Sequence, residues 1–193
     1  MSRKSFDALL SATGLVLDIL LLAAGGLLTR GNQFLGNQVH DQLAAQKIFI
    51  PPVGSPALAS PEIKPYLSQY AGQQLTTGAQ AQAYADHFIG VHLKEISGGK
   101  TYAELSKVAQ ADPTNTKLAA TVNTVFKGET LRGLLLNAYA FGTMARIAAI
   151  AAIAAFTGAV VLLLSALGLA HLRRTSTDTD IVVPRWHPEA HAV

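Results

Sequence analysis

Two long apolar runs constrain this chain more than any other feature. Leu9 to Leu28 is twenty residues with a single charge, Asp18, and Ile147 to Ala170 is twenty-four residues with none. A helix rises about 1.5 Å per residue, so about twenty apolar residues cross the roughly 30 Å hydrocarbon layer of a bilayer. Neither run carries a polar face, which argues against a helix lying in the membrane surface. The pattern predicts an all-α membrane protein, with two transmembrane helices flanking a small helical extracytoplasmic domain. The expected boundaries are a cytoplasmic N-terminus at 1–8, spans at 9–28 and 147–170, an outer domain at 29–146, and a cytoplasmic tail at 171–193. Small residues at Ala23-Ala24-Gly25 would permit signal-peptide cleavage. The length of the run and the charge in its middle favour an uncleaved anchor.

Charge placement supplies the orientation. Arg3 and Lys4 precede the first run, and His171, Arg173 and Arg174 close the second. Short basic flanks stay in the cytoplasm, which places both termini inside. Arg30 and Arg146 flank the opposite ends, so the bias is incomplete. Between residues 31 and 145 there are eight basic and seven acidic side chains, a net of +1. The overall +3 is therefore mainly a topology signal. Nucleic-acid binding, which needs a clustered basic face, is not expected. With no cysteine in the chain, disulfides, thiol catalysis and cysteine-ligated metal are excluded.

The segment between the runs reads as helical apart from one proline-rich loop. Phe34, Leu35, Val39 and Leu43 suit a continuation of the first span. Lys47 to Ile50 has extended character, and Pro51-Pro52 stops any helix. Five of the eight prolines fall in the 51–65 loop, with a short helical turn expected near Ile63 to Gln69. Thr77 and Gln80 form a capping box opening a helix to about Ile96. Its expected apolar face is Ala81, Tyr84, Ala85, Phe88, Ile89, His92, Leu93 and Ile96. Gly98-Gly99 ends it. Thr101 and Glu104 form a second capping box, for a helix to about Gln110. Asp112-Pro113 is expected to start a third helix carrying Leu118, Val122, Val125 and Phe126, with Gly128 as a kink before one long helix through the membrane. The tail from Thr175 has no periodic apolar face, and order there would require a partner.

Several residues invite a functional role. Asp18 lies about 13 Å into the first span by the helical rise, where a carboxylate is costly and faces protein or water. It could relay a proton, or hydrogen-bond across the helix pair to Thr157 and Ser165 at matching depth. The second span is rich in small residues, among them Ala148, Ala151, Ala152, Ala155, Gly158 and Ala159. Small residues at such spacing let helix backbones approach, and one neighbour cannot cover all of them, which points to docking against further membrane helices. Phe88, His92 and Phe126 could line a ligand cavity in the outer domain. Glu129 and Arg132 should pair three apart, and Asn137 and Tyr139 suit the membrane interface. His87 and His92 are five apart on different faces, whereas zinc-binding helices prefer a separation of four. His187 and His191 have that separation, but Pro188 intervenes and no third ligand follows. His40 stands alone. No metal site and no cofactor are expected.

Three stretches carry a family resemblance. They are Val39-His40-Asp41-Gln42-Leu43-Ala44-Ala45-Gln46-Lys47 with Pro51-Pro52, Ala83-Tyr84-Ala85-Asp86-His87, and Gly128 to Tyr139. Over roughly residues 10 to 170 the chain resembles an actinobacterial family of two-span membrane proteins whose members often bear the label "aromatic ring-opening dioxygenase". Ring opening of that kind uses iron held by two histidines and a carboxylate with open positions, and no such triad is legible here. The resemblance implies a two-span topology and no established activity, so no catalytic residue carries over.

The expected function is a non-catalytic accessory or structural subunit of a larger membrane complex in the cell envelope. Its partners would be membrane lipids and other integral-membrane subunits. The alternative is an extracytoplasmic module that binds or senses a ligand or lipid. An enzyme comes third, and a transition metal at His40, His87 or His92 would revive it.

Overall fold

A computed structural model describes residues 3–175. The tail after Thr175, with His187 and His191, lies outside the described residues. The chain is all-helical: α1 (Arg3–Ala45), α2 (Lys64–Leu67), α3 (Gly78–Tyr84), α4 (Gly90–Ser97), α5 (Tyr102–Ala111) and α6 (Thr116–Thr175). Short 3-10 turns occupy Pro56–Leu58 and Ser68–Tyr70, and a five-residue π turn, Ala85–Ile89, joins α3 to α4. The only β pairing among the described residues is an isolated antiparallel bridge between Phe49 and Gln74. Two helices, α1 and α6, are long and apolar enough to cross a membrane. The chain divides into two compact units, residues 1–29 with 150–193, and residues 30–149.

In the first unit the two apolar runs lie against each other, antiparallel. A Cβ built on Gly14 would meet Ala166 at 3.9 Å, and one on Gly25 would press to 2.9 Å from the Phe156 ring. The same construction on Gly158 reaches Leu21 at 3.3 Å. Glycine at these positions is thus what lets Leu21 and Phe156 seat on the opposing helix. Ala152, Ala155, Ala159 and Ala166 are buried, while Ile150, Ile153, Val160 and Leu164 point outward and are exposed. The small-residue stripe therefore packs on the chain's own α1, and large aliphatic side chains form the opposite face.

The second unit is built from local signals that the sequence states openly. The Thr77 hydroxyl accepts from the Gln80 amide and the Gln80 side chain accepts from the Thr77 amide, which is a complete capping box. Thr101 and Glu104 repeat the arrangement at α5. Gly98 adopts the left-handed conformation (φ 60°) that ends α4, which costs glycine nothing. Three buried clusters result. Val39, Leu43, Leu75, Ala81, Ala85 and Leu135 join α1, α3 and α6. Ile50, Leu58, Ile63, Leu67 and Val91 fix the proline-rich loop. Leu93, Leu105 and Val125 hold α4, α5 and α6.

Three local expectations are corrected. Gly128 does not break the helix, because α6 runs unbroken for 60 residues. A Cβ there would overlap the buried Leu93 side chain, so Gly128 is a seat for Leu93. The third helix starts at Thr116 rather than at Asp112-Pro113: Asn115 accepts from the Leu118 amide, and Asp112 instead accepts from Thr114 and Asn115 side chains in the preceding turn. The 77–96 helix also changes its face along its length. The π turn adds a residue per turn, so that Val91 and Leu93 are buried while Ile96 is exposed.

Candidate functional site

The second unit carries an apolar groove of about 470 Å³ between the C-terminal part of α1 and the middle of α6. Its floor is Val39, Leu43 and Leu135, which also belong to the buried core. Leu131 and Ala138 extend that floor, and exposed Phe34, Leu134 and Phe141 stand at its edge. Four carboxamides share the lining: Gln38 and Gln42 on α1, Gln46 in the turn that follows it, and Asn137 on α6. Residues four apart on a helix lie above one another, about 6 Å apart along the axis, so Gln38 and Gln42 stand one turn apart along one wall. All four are exposed, and none of their amide side chains makes a hydrogen bond within the described residues. No Asp, Glu, Lys, Arg or His lines the groove. The arrangement can hold an apolar chain on a fixed floor and satisfy uncharged polar groups from one side.

A second, open cleft of about 510 Å³ lies beside the π turn, lined by Glu62, Tyr66, Asp86, His87, Lys94 and Arg132 among others. Here the π turn has a visible consequence. It presents Asp86 to Arg132, 3.2 Å away on α6, and lays the His87 ring flat on Tyr66 with centroids 3.4 Å apart. Arg132 also donates to Glu129 at 3.4 Å, as its spacing predicts, while its Nε–H is buried without a partner. Lys94 faces Glu62 at 3.6 Å. Every charge in this cleft is thus already matched within it. The Asp86–Arg132 pair, about one third exposed at both ends, contributes no more than roughly 1 kcal/mol. This cleft reads as a structural polar seam joining the π turn to α6.

The residues singled out from sequence are distributed differently from expectation. Phe88 and His92 do meet, with ring centroids 4.6 Å apart, and the His92 Nδ1 lies 2.7 Å from the Phe88 carbonyl oxygen. Phe126 is not with them: it packs on Tyr102 at 5.4 Å and is 51% exposed. None of the three lines the groove or the polar cleft. Thr157 and Ser165 donate to the carbonyls of Ile153 and Val161 on their own helix and are exposed. They do not reach Asp18. Asp18 itself is only 6% exposed, with Oδ1 buried and unpartnered. Of the helix-packing set, Ala152, Ala155 and Ala159 are buried and Ala148, Ala151 and Gly158 are half-buried. His40 is exposed beside Asp41 at 3.1 Å. No three His, Asp or Glu side chains converge among the described residues. Asn137, expected only as an interfacial residue, is a groove residue, and the groove's glutamines were missed altogether. The signal for them was present in the four-residue spacing of Gln38, Gln42 and Gln46, beside the apolar positions Leu35, Val39 and Leu43.

Two titrations are displaced in this unit. Burial raises the Tyr84 phenol above its ordinary value, since a phenolate would lose hydration. Hydrogen bonds from the Thr101 backbone and then its side chain hold the Glu104 carboxyl below the usual range, with Lys100 adding a smaller pull. Both belong to packing and capping rather than to a reaction centre. A comparison with protein-family models, curated proteins and solved structures finds no match for this chain.

Proposed function

We propose that the protein is a two-span, non-catalytic plasma-membrane protein that holds a membrane lipid in the groove between α1 and α6. In this reading both termini are cytoplasmic and residues 29–146 form an extracytoplasmic domain. The observation that carries it is the groove: an apolar floor, unengaged amides and no charge. Its volume lies in the roughly 300–1,000 Å³ range of small-ligand sites. Its residues are also close to the spans along the chain. Phe34 follows Leu28 by six residues and Phe141 precedes Ile147 by six, about 9 Å of helix in each case. That spacing suits an occupant that comes from the bilayer.

The test is lipid analysis of the full-length protein purified in mild detergent, beside two variants. Ala138→Phe fills the groove, and Leu134→Glu places a charge at its exposed edge. Lipid retained by the wild type and lost from both variants, with helicity unchanged by circular dichroism, supports the reading. Equal lipid in all three sinks it. For the topology, the single variants Ala111→Cys and Thr175→Cys should be labelled from outside the cell and from inside it, respectively, by a membrane-impermeant maleimide.

A second reading is the accessory subunit of a membrane complex. The observation favouring it is the exposed ridge of Ile147, Ile150 and Ile153 on α6, which would meet a partner helix. The ridge suits lipid chains equally well, and the small-residue stripe is already used by the chain's own α1. This reading therefore ranks second, and recovery of stoichiometric integral-membrane partners in mild detergent would raise it to first.

A further inference from the structure

We infer that the groove is filled by one acyl chain lying extended along α1 and α6, with about thirteen of its carbons inside. This rests on the proposal that the groove holds a lipid, and adds which part of the lipid it takes and in what form. The first ground is length. On α6 the lining runs from Leu131 to Phe141, ten residues further on and so about 15 Å along the axis. On α1 it runs from Phe34 to Leu43, with Gln46 in the following turn, about 14 Å of helix. An extended peptide covers at most about 3.6 Å per three backbone bonds, so an extended carbon chain advances about 1.2 Å per bond and crosses about 15 Å in roughly twelve bonds.

Both ends of that stretch are marked on the same face of α6, where residues four apart line up. One turn before Leu131 the face carries the exposed, charged Lys127, and beside it Gly128 is covered by Leu93. The opposing wall stops there too, because α1 ends at Ala45. One turn beyond Phe141, Ala145 is buried, so the face is covered again. The second ground is width. A volume of about 470 Å³ over about 15 Å gives a mean cross-section of about 31 Å². A carbon chain packed at contacts of 3.5–4.0 Å, its zigzag included, takes about 20 Å², and two abreast take about 40 Å². One extended chain fits and two do not. It rests on buried Val39, Leu43 and Leu135. The exposed carboxamides at the rim keep their water and take no part, so the contact is with the chain and not with the head. The chain can belong to a single-chain amphiphile, or to a diacyl lipid whose second chain stays in the bilayer.

The experiment uses the full-length protein in phosphatidylcholine vesicles. The probes are sixteen-carbon fatty acids with a photoactivated diazirine at carbon 5, 10 or 15, and phosphatidylcholines with the same three chains at one position. Five carbons advance about 6 Å, which is four residues of helix. The labelled residues, read by mass spectrometry, should therefore step by about one turn per probe, in one direction, along the Phe34–Leu43 and Leu131–Phe141 stretches. Stepping with the fatty acids alone assigns a single-chain ligand, and stepping with both sets admits one chain of a diacyl lipid. Ala138→Phe and Leu134→Glu, with helicity unchanged, should abolish the labelling of these stretches. Three probes that label the same residues in the groove, or native mass spectra with two fatty acids bound and both lost on Ala138→Phe, overturn the single extended chain and leave the lipid site standing. Labelling that bypasses the groove, or that both variants retain, overturns the groove reading itself.

Discussion

The contact between Gly78 and Gly142 is where the second unit is most sensitive to a single methyl group. Gly78 opens α3 and lies against the backbone of α6. A Cβ there would sit 3.0 Å from the Ala138 carbonyl oxygen, 3.1 Å from the Tyr139 Cα and 3.4 Å from the Gly142 Cα. All three obstacles are backbone, so no side chain can swing aside and the helices must separate. Overpacking of this kind costs about 1–3 kcal/mol. Gly78 is the first residue of its helix, where alanine gains little in return. Gly133→Ala, on α6 itself, is the matched contrast. Nothing lies within 4 Å of a Cβ at Gly133, so the substitution should stabilise by about 0.8–1.0 kcal/mol through helix propensity alone. At roughly 4 °C per kcal/mol for a unit of this size, Gly78→Ala should lower the melting temperature by about 4–12 °C and Gly133→Ala raise it by about 4 °C. Far-UV circular dichroism melts in one detergent read both, and hydrogen exchange assigns the loss to α3. Ala81 and Ala85, which follow Gly78 in chain order, pack with Val39, Leu43 and Leu135. Gly78→Ala should therefore also loosen the groove floor. A neutral or stabilising Gly78→Ala, with α3 protection unchanged, would refute the close seating of α3 on α6.

Two further predictions concern single carboxyl groups. The Glu104 carboxyl is held below its ordinary 4.5 by hydrogen bonds from Thr101, so its contribution to α5 is present at neutral pH and is lost as pH falls below 4.5 through the lowered value. Amide exchange in α5 between pH 6 and pH 3 should show that loss, and Thr101→Ala should remove the pH dependence; an unchanged profile in the variant would refute the assignment. Asp18→Leu should strengthen the pairing of the two spans by about 1–3 kcal/mol, because it removes a buried unsatisfied oxygen. Resistance of the helices to SDS titration measures it, and a weakened pair would show that the carboxyl finds a partner in the membrane.

How far the sequence carries depends on whether a feature is local. Both capping boxes, the Gly98 stop and the extension of the first span past Gly31 follow from residues within one or two turns of each other, and they were legible. Gly128 was not, because glycine in a helix can mark a break, a kink or a close approach. Only Leu93, thirty-five positions earlier, decides among these. The same holds for the π turn. The apolar face from Ala81 to His92 fits one regular helix, yet Val91 falls off that face, and its apolar character was the available sign that the face rotates. Phe126 was grouped with Phe88 and His92 by residue type, and the rotation of α6 that buries Val125 turns Phe126 toward Tyr102 instead.

The small residues of the second span show why this distinction matters for function. Their number argued for many neighbours, but the side on which they fall argues for one. Ala152, Ala155, Ala159 and Ala166 follow one another at three-, four- and seven-residue intervals and are all buried, which describes a single seam. Across it stand Gly14, Leu21 and Gly25 of the same chain. A seam that close leaves no room for a hydrogen-bonding partner from α6 at Asp18, since Thr157 and Ser165 occupy the exposed side. Asp18 is therefore a polar group that the pairing does not need, and its retention against that cost is what makes it worth testing separately from the groove. Loss of lipid retention on Asp18→Leu would tie the two together. Unchanged retention would show that the groove holds its ligand independently of the Asp18 carboxyl.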